Sequence, residues 1–439
     1  MTKFPSREGY ALILAIMIVF IVMLLIISWV TFIQNRSRRF IHLEDSVQAF
    51  YNAESGLAKA LWYLAGNGDV NFEVKNGVRA RTDTLFGNAG STANITVKER
   101  GFFTEIVSEG KEGRFTETVK ARIGCSSQGI LANTCNILSP GILHIRGSVE
   151  GNLETRGSVD GNVKGEVIQN PSLSFPIISY SVISSGMAQY RSFIENPAQA
   201  DTELFGPLVV DDNEDIPLKN IIYVNDVVLI ENDDYSHPLT IEGSFTIVSP
   251  DEIQISGNVR LSGMDFVTYG RILITGDCIV KDAVLYSESE VELRRDAKFA
   301  GTILTKGGIK VCENVSILQN SVLLSNTDRS QIELDDRSYI NGTIVLCPKV
   351  GLGKTVTSQI VVGQNVKVKG LLYSTTGVRL KGTVTGTIFT PTFIGEPMYP
   401  DTLNLNVLEG DVAVLNEKDF ILPQIFTGMP KKLFSWEKE

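Results

Sequence analysis

Residues 272–290, ILITGDCIVKDAVLYSESE, and residues 291–308, VELRRDAKFAGTILTKGG, are two consecutive copies of one pattern. Each copy opens on two apolar residues that stand two positions apart, Ile272 and Ile274 in the first copy. Such alternation places one set of side chains on a single face of a β-strand. The pattern therefore predicts a short strand at the start of each copy.

The same pattern recurs between about residue 253 and residue 390. The paired apolar residues are Ile253/Ile255, Ile272/Ile274, Val291/Leu293, Ile309/Val311, Ile332/Leu334, Ile360/Val362 and Val378/Leu380. Small or apolar residues follow six positions after each first member, at Val259, Cys278, Ala297, Val315, Ser338, Val366 and Val384. A second column is predicted two positions further on, at Leu261, Val280, Phe299, Ile317, Ile340, Val368 and Gly386. A third is predicted at Val284, Ile303, Val322, Ile344, Leu372 and Ile388. Each copy therefore holds three short strands.

A repeat of about 19 residues can bury three such strands only by coiling and stacking on its neighbours. This predicts a parallel β-helix, which we expect to be right-handed and to occupy residues 126–400. A propeller blade would need about 40 residues and four strands. Two tandem segments, IRGSVEGNL (145–153) and TRGSVDGNV (155–163), open the region, and their Gly and Val spacing resembles the bactofilin repeat.

Polar residues recur between the first and second strands of each copy, at Asn258, Asp277, Asp296, Asn314, Arg337, Asn365 and Thr383. Asn and Asp tolerate the left-handed conformation of tight turns. We therefore expect a stacked turn ladder, with a metal site as the less favoured alternative.

Composition limits the function classes. Lys and Arg total 40 against 50 Asp and Glu, which gives a net charge of -10. Nucleic-acid binding needs basic faces, so no nucleic-acid partner is expected. With three His, five Cys and no C-x-x-C pair, no metal or cofactor is expected. The repeats show no catalytic constellation, so we expect a protein that is not an enzyme, with a polysaccharide-active enzyme as a minor alternative.

The N-terminal segment differs from the rest. Residues 10–33 carry no charged side chain, and as a helix they would extend about 36 Å, enough to cross a bilayer core of about 30 Å. A cleaved signal peptide would need a shorter apolar core followed by small residues. We therefore expect a retained transmembrane helix.

The leader MTKFPSREG (1–9) ends in Gly9, and Tyr10 opens the apolar stretch. This arrangement resembles a type IV prepilin. The resemblance implies cleavage between Gly9 and Tyr10 by a prepilin peptidase, with methylation of the new amino terminus. Glu8 stands where prepilins usually carry a basic residue, and Leu14 stands where most pilins have a glutamate. Many tip-most minor pseudopilins lack that glutamate.

Residues 34–66 continue as a predicted amphipathic helix. Its apolar residues follow steps of three and four, typical of one helix face, at Phe40, Leu43, Val47, Phe50, Leu57, Leu61 and Leu64. The segment YNAESGLAKALWYL (51–64) resembles the N-terminal signature of PilX-type minor pilins. The resemblance implies filament packing through Leu14, Ala53, Glu54, Gly56, Leu57 and Leu61.

Three alternating segments at 94–100, 102–110 and 114–124 predict an antiparallel headpiece over residues 67–125. Cys125 and Cys135 could close a loop outside the cytoplasm, and Cys278 is expected to be a small core residue. Residues 166–220 break the repeat and predict an excursion from the β-helix. The tail, residues 401–439, is expected to cap one of its ends.

These features predict a minor pilin-like subunit in the inner membrane, with most of the chain outside the cytoplasm. Its expected partners are the membrane, other pilin or pseudopilin subunits, a prepilin peptidase, and a surface or polysaccharide ligand for the β-helix. We expect the subunit to act at the tip, or in the initiation, of a type IV pilus or a type II secretion-like filament. The alternative is an unprocessed membrane anchor that displays the β-helix as a binding module.

Overall fold

The computed structural model describes residues 7–64, 73–75, 78–84, 91–100, 103–125, 134–136, 143–172, 178, 180–211, 220–326, 331–348, 358–395, 404–405, 407–413 and 431–438. The chain divides into two compact units. Unit 1 contains Met1–Glu99, Thr104–Arg122 and Leu433–Glu439, and unit 2 contains Arg100–Phe103 and Ile123–Lys432.

Unit 1 combines one long helix with a sheet. Its elements are α1 (Arg7–Leu64), β1 (Glu73–Lys75), β2 (Val78–Thr84), β3 (Ser91–Arg100), β4 (Phe103–Glu112) and β5 (Phe115–Cys125). The three segments expected to form the headpiece are β3, β4 and β5. The sheet order is β1-β2-β3-β4-β5, and a strand from the C-terminal segment Lys431–Lys438 completes it beside β5. This last strand differs from the expectation that residues 401–439 cap the β-helix.

Unit 2 is a parallel β-solenoid with one helix. It begins with β6 (Thr134–Asn136), β7 (Leu143–Glu150), β8 (Asn152–Thr155), β9 (Val159–Lys164), β10 (Val167–Gln169), α2 (Tyr180–Glu195) and a 3-10 turn at Pro197–Gln199. The first rungs are β11 (Thr202–Leu204), β12 (Leu208–Val210), β13 (Ile221–Val224), β14 (Val228–Asn232), β15 (Leu239–Glu242) and β16 (Thr246–Ser249).

The repeat region follows with β17 (Ile253–Gly257), β18 (Val259–Ser262), β19 (Asp265–Thr268), β20 (Ile272–Thr275), β21 (Ile279–Ser287), β22 (Val291–Arg294), β23 (Lys298–Thr305), β24 (Ile309–Val311), β25 (Ser316–Ser325), β26 (Ile332–Leu334), β27 (Tyr339–Leu346), β28 (Ile360–Val362), β29 (Lys367–Ser374), β30 (Val378–Leu380) and β31 (Thr383–Phe389). The last strands are β32 (Ile394–Gly395), β33 (Asn404–Leu405), β34 (Val407–Leu408), β35 (Asp411–Ala413) and β36 (Lys431–Lys438).

The predicted strand pairs form one sheet of the solenoid. They lie on β17, β20, β22, β24, β26, β28 and β30, within a nine-stranded parallel sheet that we call the short-strand sheet. The pairing keeps the predicted register, since Ile253 lies beside Ile272, and Ile272 beside Val291. The parallel β-helix is therefore confirmed, whereas its right-handed sense stays a prediction.

Most of the remaining strands form a sixteen-stranded sheet, the long-strand sheet. The strands β6, β8 and β10 form a separate three-stranded sheet, and β32 pairs with β33. From β21 onward, one strand per rung holds both the second and the third predicted columns. The second column is confirmed up to Val368 but is wrong in the last copy, because Val384 pairs with Val368, and Gly386 with Gly370. The turn that precedes β31 is two residues shorter than the turn that precedes β29, which shifts the register.

The third predicted column mixes two faces of the long-strand sheet. Ile303, Ile344, Leu372 and Ile388 lie in the solenoid core as predicted, whereas Val284 and Val322 belong to a second apolar layer on the outer face. In their two rungs the core positions are taken by the next residues, Leu285 and Leu323. Residues of α2, among them Met187, pack in that outer layer. Since both faces of this strand segment are buried, the alternation that would distinguish inward from outward residues is lost.

Two further expectations are corrected by the pairing. The predicted excursion at 166–220 ends earlier than expected, because β11 and β12 already pair with β13 and β14 as a regular rung. The sequence did not indicate this rung, since β11 and β12 have three residues each and are too short to show a clear alternation. The ten-residue tandem repeat is also not the structural repeat, because Val149 pairs with Val163 and not with Val159.

A column of buried hydroxyls connects successive rungs at one corner of the solenoid. This hydroxyl column consists of Ser249, Thr268, Ser287, Thr305, Ser325 and Ser374. In a typical member, Ser287 Oγ donates to the carbonyl of Gly270 at 2.7 Å and accepts the N–H of Ser289 at 2.9 Å. Each hydroxyl thereby satisfies turn groups that would otherwise be buried without partners.

Candidate assembly surface and solenoid sites

The predicted processing residues lie at the start of α1. Gly9, Tyr10 and Leu14 are on its described backbone, but their side chains lie outside the described part of the structure. Further along, Met17–Gln34 has a mean hydropathy of 2.6 and none of it is buried. Among the described residues, this is the one helical stretch long and apolar enough to cross a membrane.

One face of α1 packs closely on the headpiece sheet. Its buried residues are Ala49, Asn52, Ala53, Gly56, Leu57 and Ala60. A Cβ atom at Gly56 would lie 2.3 Å from Ser108 Oγ, and one at Gly110 would lie 2.1 Å from the carbonyl oxygen of Ala49. Small residues are therefore required on both sides of this contact.

Hydrogen bonds fix the register of this contact. The fully buried Asn52 amide donates to the carbonyl of Lys111 at 3.0 Å and to Glu112 Oε2 at 3.1 Å. One turn and a half earlier, Ser46 Oγ donates to Glu117 Oε1 at 2.7 Å. A buried side-chain amide needs such partners, because its desolvation would otherwise oppose folding.

The structure separates the residues predicted to pack in a filament. Ala53, Gly56 and Leu57 are buried within unit 1, so they have an intramolecular partner in the sheet. Glu54 and Leu61 are half-buried. Their role in a filament stays a prediction, as does that of Leu14.

A second apolar face of α1 is exposed. Leu43 is 64% exposed, and Val47, Tyr51 and Trp62 are between 45% and 54% exposed. With 3.6 residues per turn, these four residues lie on the side that faces away from the buried alanines. We call them the exposed stripe.

The predicted single apolar face is therefore divided in the structure. Leu57 is buried, whereas Leu43 and Val47 are exposed. The sequence indicates close packing through Ala53 and Gly56 but predicts a filament partner for them, whereas the structure places the headpiece sheet there. A signal was present in the spacing of Ala49, Ala53 and Ala60, which recur on one helix face.

The polar column of the solenoid forms the expected turn ladder in three consecutive rungs. Asp296, Asn314 and Arg337 have φ values of 64°, 69° and 61°. Asn314 Nδ2 donates to Asp296 Oδ1 of the previous rung, and the N–H of Asn314 donates to the carbonyl of Asp336 at 2.8 Å. These contacts give the column a structural role in stacking the turns.

A groove of about 500 Å³ runs along this corner. Its lining includes Asp233, Asp277, Asp296 and Glu313, one arginine, and Tyr235, which is 81% exposed. Among the described residues, no three His, Cys, Asp or Glu side chains are placed to hold a metal ion.

A buried carboxylate and a buried thiol also lie in the solenoid. Glu292 on the short-strand sheet is 2% exposed and accepts from Arg294 Nε at 2.7 Å and Arg271 Nη1 at 3.4 Å. Cys278 is fully buried, as predicted, and burial raises the pKa of its thiol to about 12. The side chains of Cys125 and Cys135 lie outside the described residues, so their pairing stays a prediction.

Comparisons with known proteins give matches among solved structures. No protein-family model matches the sequence, and no curated protein matches it. Among solved structures, the chain is similar to the competence-associated pilin ComZ from Thermus thermophilus. The identity is 11%, the match covers 90% of this chain and 97% of that chain, and the TM-score is 0.18.

Proposed function

We propose that this protein is a non-enzymatic, minor pilin-like subunit that is inserted in the inner membrane by residues 10–33. It assembles there with other pilin or pseudopilin subunits. The observation that carries this proposal is that α1 leaves two apolar surfaces uncovered, the membrane stretch Met17–Gln34 and the exposed stripe. Exposed apolar patches of this kind mark interaction surfaces.

The exposed stripe suits packing against other helices. The opposite face of α1 is already occupied by the headpiece sheet, so Leu43, Val47, Tyr51 and Trp62 are the large exposed side chains available to a neighbour among those described beyond the membrane stretch. Parallel α1 helices held side by side by their membrane segments would bury these residues without disturbing the headpiece. In this proposed arrangement, the assembly surface lies on a different face of α1 from Ala53 and Gly56.

The finer parts of the proposal rest on the leader and on the size of the solenoid. A prepilin peptidase cleaves between Gly9 and Tyr10, and the new amino terminus is methylated. A solenoid of this length would crowd a closely spaced filament shaft, so the subunit acts at the tip or in initiation of a type IV pilus or type II secretion-like filament. The solenoid is then its binding surface.

The mass of the mature N-terminus tests this assignment. The membrane-extracted full chain is digested and its N-terminal peptide measured, with and without a prepilin peptidase in the same cells. We expect an N-methylated Tyr10 with the peptidase and retention of residues 1–9 without it. An intact leader in both cases would contradict a pilin-class subunit.

A second candidate function is an unprocessed membrane anchor that displays the solenoid as a binding module. Leu14, in place of the glutamate of most pilins, favours it. The two candidates also differ in position on the cell. A tip or initiation subunit is present in few copies and lies at one end of the filament. Immunogold label along the whole shaft would therefore contradict that placement.

A further inference from the structure

The solenoid presents one basic side, formed by the outward residues in the first part of the long-strand sheet. We propose that this basic face binds an acidic, uronate-containing polysaccharide outside the cell. The inference rests on the proposed role of the solenoid as a binding surface and names its ligand class. The basic face is defined by the outward positions Arg260, Ser262, Ile279, Lys281, Lys298, Ala300, Ser316, Tyr339, Asn341, Lys367 and Lys369.

The strand register fixes these residues in two columns. Lys298 lies beside Ser316, Ser316 beside Tyr339, and Tyr339 beside Lys367. In the second column, Asn341 lies beside Lys369. With strands about 4.8 Å apart, the six rungs from Arg260 to Lys367 extend about 24 Å. The face is therefore long and flat enough for an extended polymer.

The charge on this face is predominantly positive. Its cations are Arg260, Lys281, Lys298, Lys367 and Lys369. Two exposed carboxylates border it, because Glu242 of the adjoining strand pairs with Ser262 and Asp282 follows Lys281. Within the described part of the chain, Lys298 has one ion-pair partner, Asp277 at 4.0 Å, and the other four form no ion pair. This contrasts with the net charge of -10 for the whole chain. Unpaired cations on an otherwise acidic protein provide charge complementarity to a polyanion.

The neutral residues of the face favour a carbohydrate over a nucleic acid. Ser262 and Ser316 offer hydroxyl groups that can exchange hydrogen bonds with sugar hydroxyls. Tyr339, which is 40% exposed, offers an aromatic ring beside Lys367. Single-stranded nucleic acid would use several aromatic rings for successive bases, and this face has one.

The acidic groove limits where such a ligand can lie. Asp277 and Asp296 occupy the turns that precede the strands carrying Lys281 and Lys298. A polyanion is repelled from that corner and attracted to the adjacent lysines. The ligand therefore runs along the solenoid axis over the basic face, and not across the corner.

Binding of the full chain in detergent to polygalacturonate oligosaccharides tests the proposal. The variant combines Lys281→Gln, Lys367→Gln and Lys369→Gln. Because each exposed charge contributes modestly, we expect a combined loss of about tenfold in affinity. We also expect the wild-type affinity to fall as salt is raised, since the contacts are exposed.

The matched control carries Lys164→Gln, Lys306→Gln and Lys310→Gln, which removes the same charge away from the basic face. We expect its affinity to equal that of the wild type. An equal loss in the control, or equal binding of uncharged dextran by the wild type, would overturn the proposal. Tighter binding of single-stranded DNA that displaces the oligosaccharide would also overturn it, in favour of a nucleic-acid ligand.

Circular dichroism spectra and thermal unfolding of both variants keep the result interpretable. If the Gln variant unfolds early, Lys367→Arg with Lys369→Arg supplies a second test, because these substitutions retain the charge and we expect them to retain affinity. Failure of this proposal leaves the processing at Gly9 unchanged, whereas an unprocessed leader leaves glycan binding unchanged. The two failures are therefore distinguishable.

Discussion

At the scale of single residues, the hydroxyl column shows how one atom can satisfy two backbone groups. Ser287 Oγ bonds to the carbonyl of Gly270 in the previous rung and to the N–H of Ser289 in its own turn. The side chain has no exposure to solvent. Water therefore cannot replace either bond when the hydroxyl is removed.

We expect Ser287→Ala to lower the free energy of unfolding by about 1–3 kcal/mol, since it leaves buried polar groups unpaired. Urea denaturation followed by circular dichroism measures the change. Ser184→Ala, on the exposed side of α2, is the matched control and should stay within about 0.5 kcal/mol of the wild type. Equal effects at the two sites would show that the hydroxyl column does not stabilise the solenoid.

Cys278 gives a pH-dependent prediction. Burial raises the pKa of its thiol to about 12 in the folded state, against about 8.5 in an unfolded chain. Above pH 9 the unfolded state loses this proton and the folded state keeps it, so stability falls as pH rises. The contribution of this thiol is fully present below pH 8.5 and decreases by up to about 1.4 kcal/mol per pH unit.

Denaturant unfolding at pH 8, 9 and 10 measures this effect. Cys278→Ala removes the titrating group, so its stability should depend less steeply on pH than that of the wild type, although the cavity lowers its stability at every pH. Parallel pH profiles for the two proteins would contradict the assignment.

At the scale of elements, α1 has two apolar faces with different tasks. The face with Gly56 holds the headpiece sheet, whereas the residues of the exposed stripe are open to solvent. The first face therefore determines the stability of unit 1, and the second is free to determine assembly.

We expect the combined change Leu43→Ser, Tyr51→Ser and Trp62→Ser to leave the stability of unit 1 nearly unchanged, because exposed side chains contribute little to folding. The same variant should lose cross-links to neighbouring pilin-like subunits in membranes. Hydrogen exchange and cysteine cross-linking measure the two properties.

Gly56→Val is the complementary control. Its added atoms would meet Ser108 Oγ and the Cβ of Ala93, which would lie 2.7 Å from a Cβ atom at position 56. It should destabilise unit 1 by about 1–3 kcal/mol through overpacking. If the stripe variant unfolds as early as Gly56→Val, the two faces do not have separate roles.

At the scale of the whole molecule, the chain order and the spatial order differ. The tail strand β35 pairs with β31 on one side and with β7 on the other. The early strands β7 and β9 thus extend the sheet beyond its last repeat. The expectation that the tail caps the solenoid is modified, since residues 411–413 form an internal position in the stack, and β36 joins the headpiece sheet.

This topology makes unit 1 dependent on both ends of the chain. Removal of residues 431–439 deletes β36 from the edge of β5, so we expect unit 1 to exchange amide protons faster while the solenoid keeps its protection. Hydrogen exchange with mass spectrometry measures both units in one sample, and a chain that lacks Glu439 alone is the control. Unchanged protection of β5 in the truncated chain would contradict the prediction.

The sequence by itself determined the parallel β-helix, since the pairs from Ile253/Ile255 to Val378/Leu380 repeat with a period that only stacking can bury. It also determined the apolar helix and the three headpiece strands, whose patterns are local. The partner of each apolar face was decided by the tertiary structure. The sequence pattern of an apolar face is the same whether a sheet, a helix or another molecule covers it.

For the same reason, the sequence placed Val284 in the core column, and only the packing of a second layer showed that Leu285 points inward. The contact through Ala53 and Gly56 and the strand β36 likewise depend on segments distant in the chain. The basic face required the strand register, because Lys281, Tyr339 and Lys369 share no local pattern. Local periodicity determines which elements form, and long-range packing determines which surfaces remain free to bind.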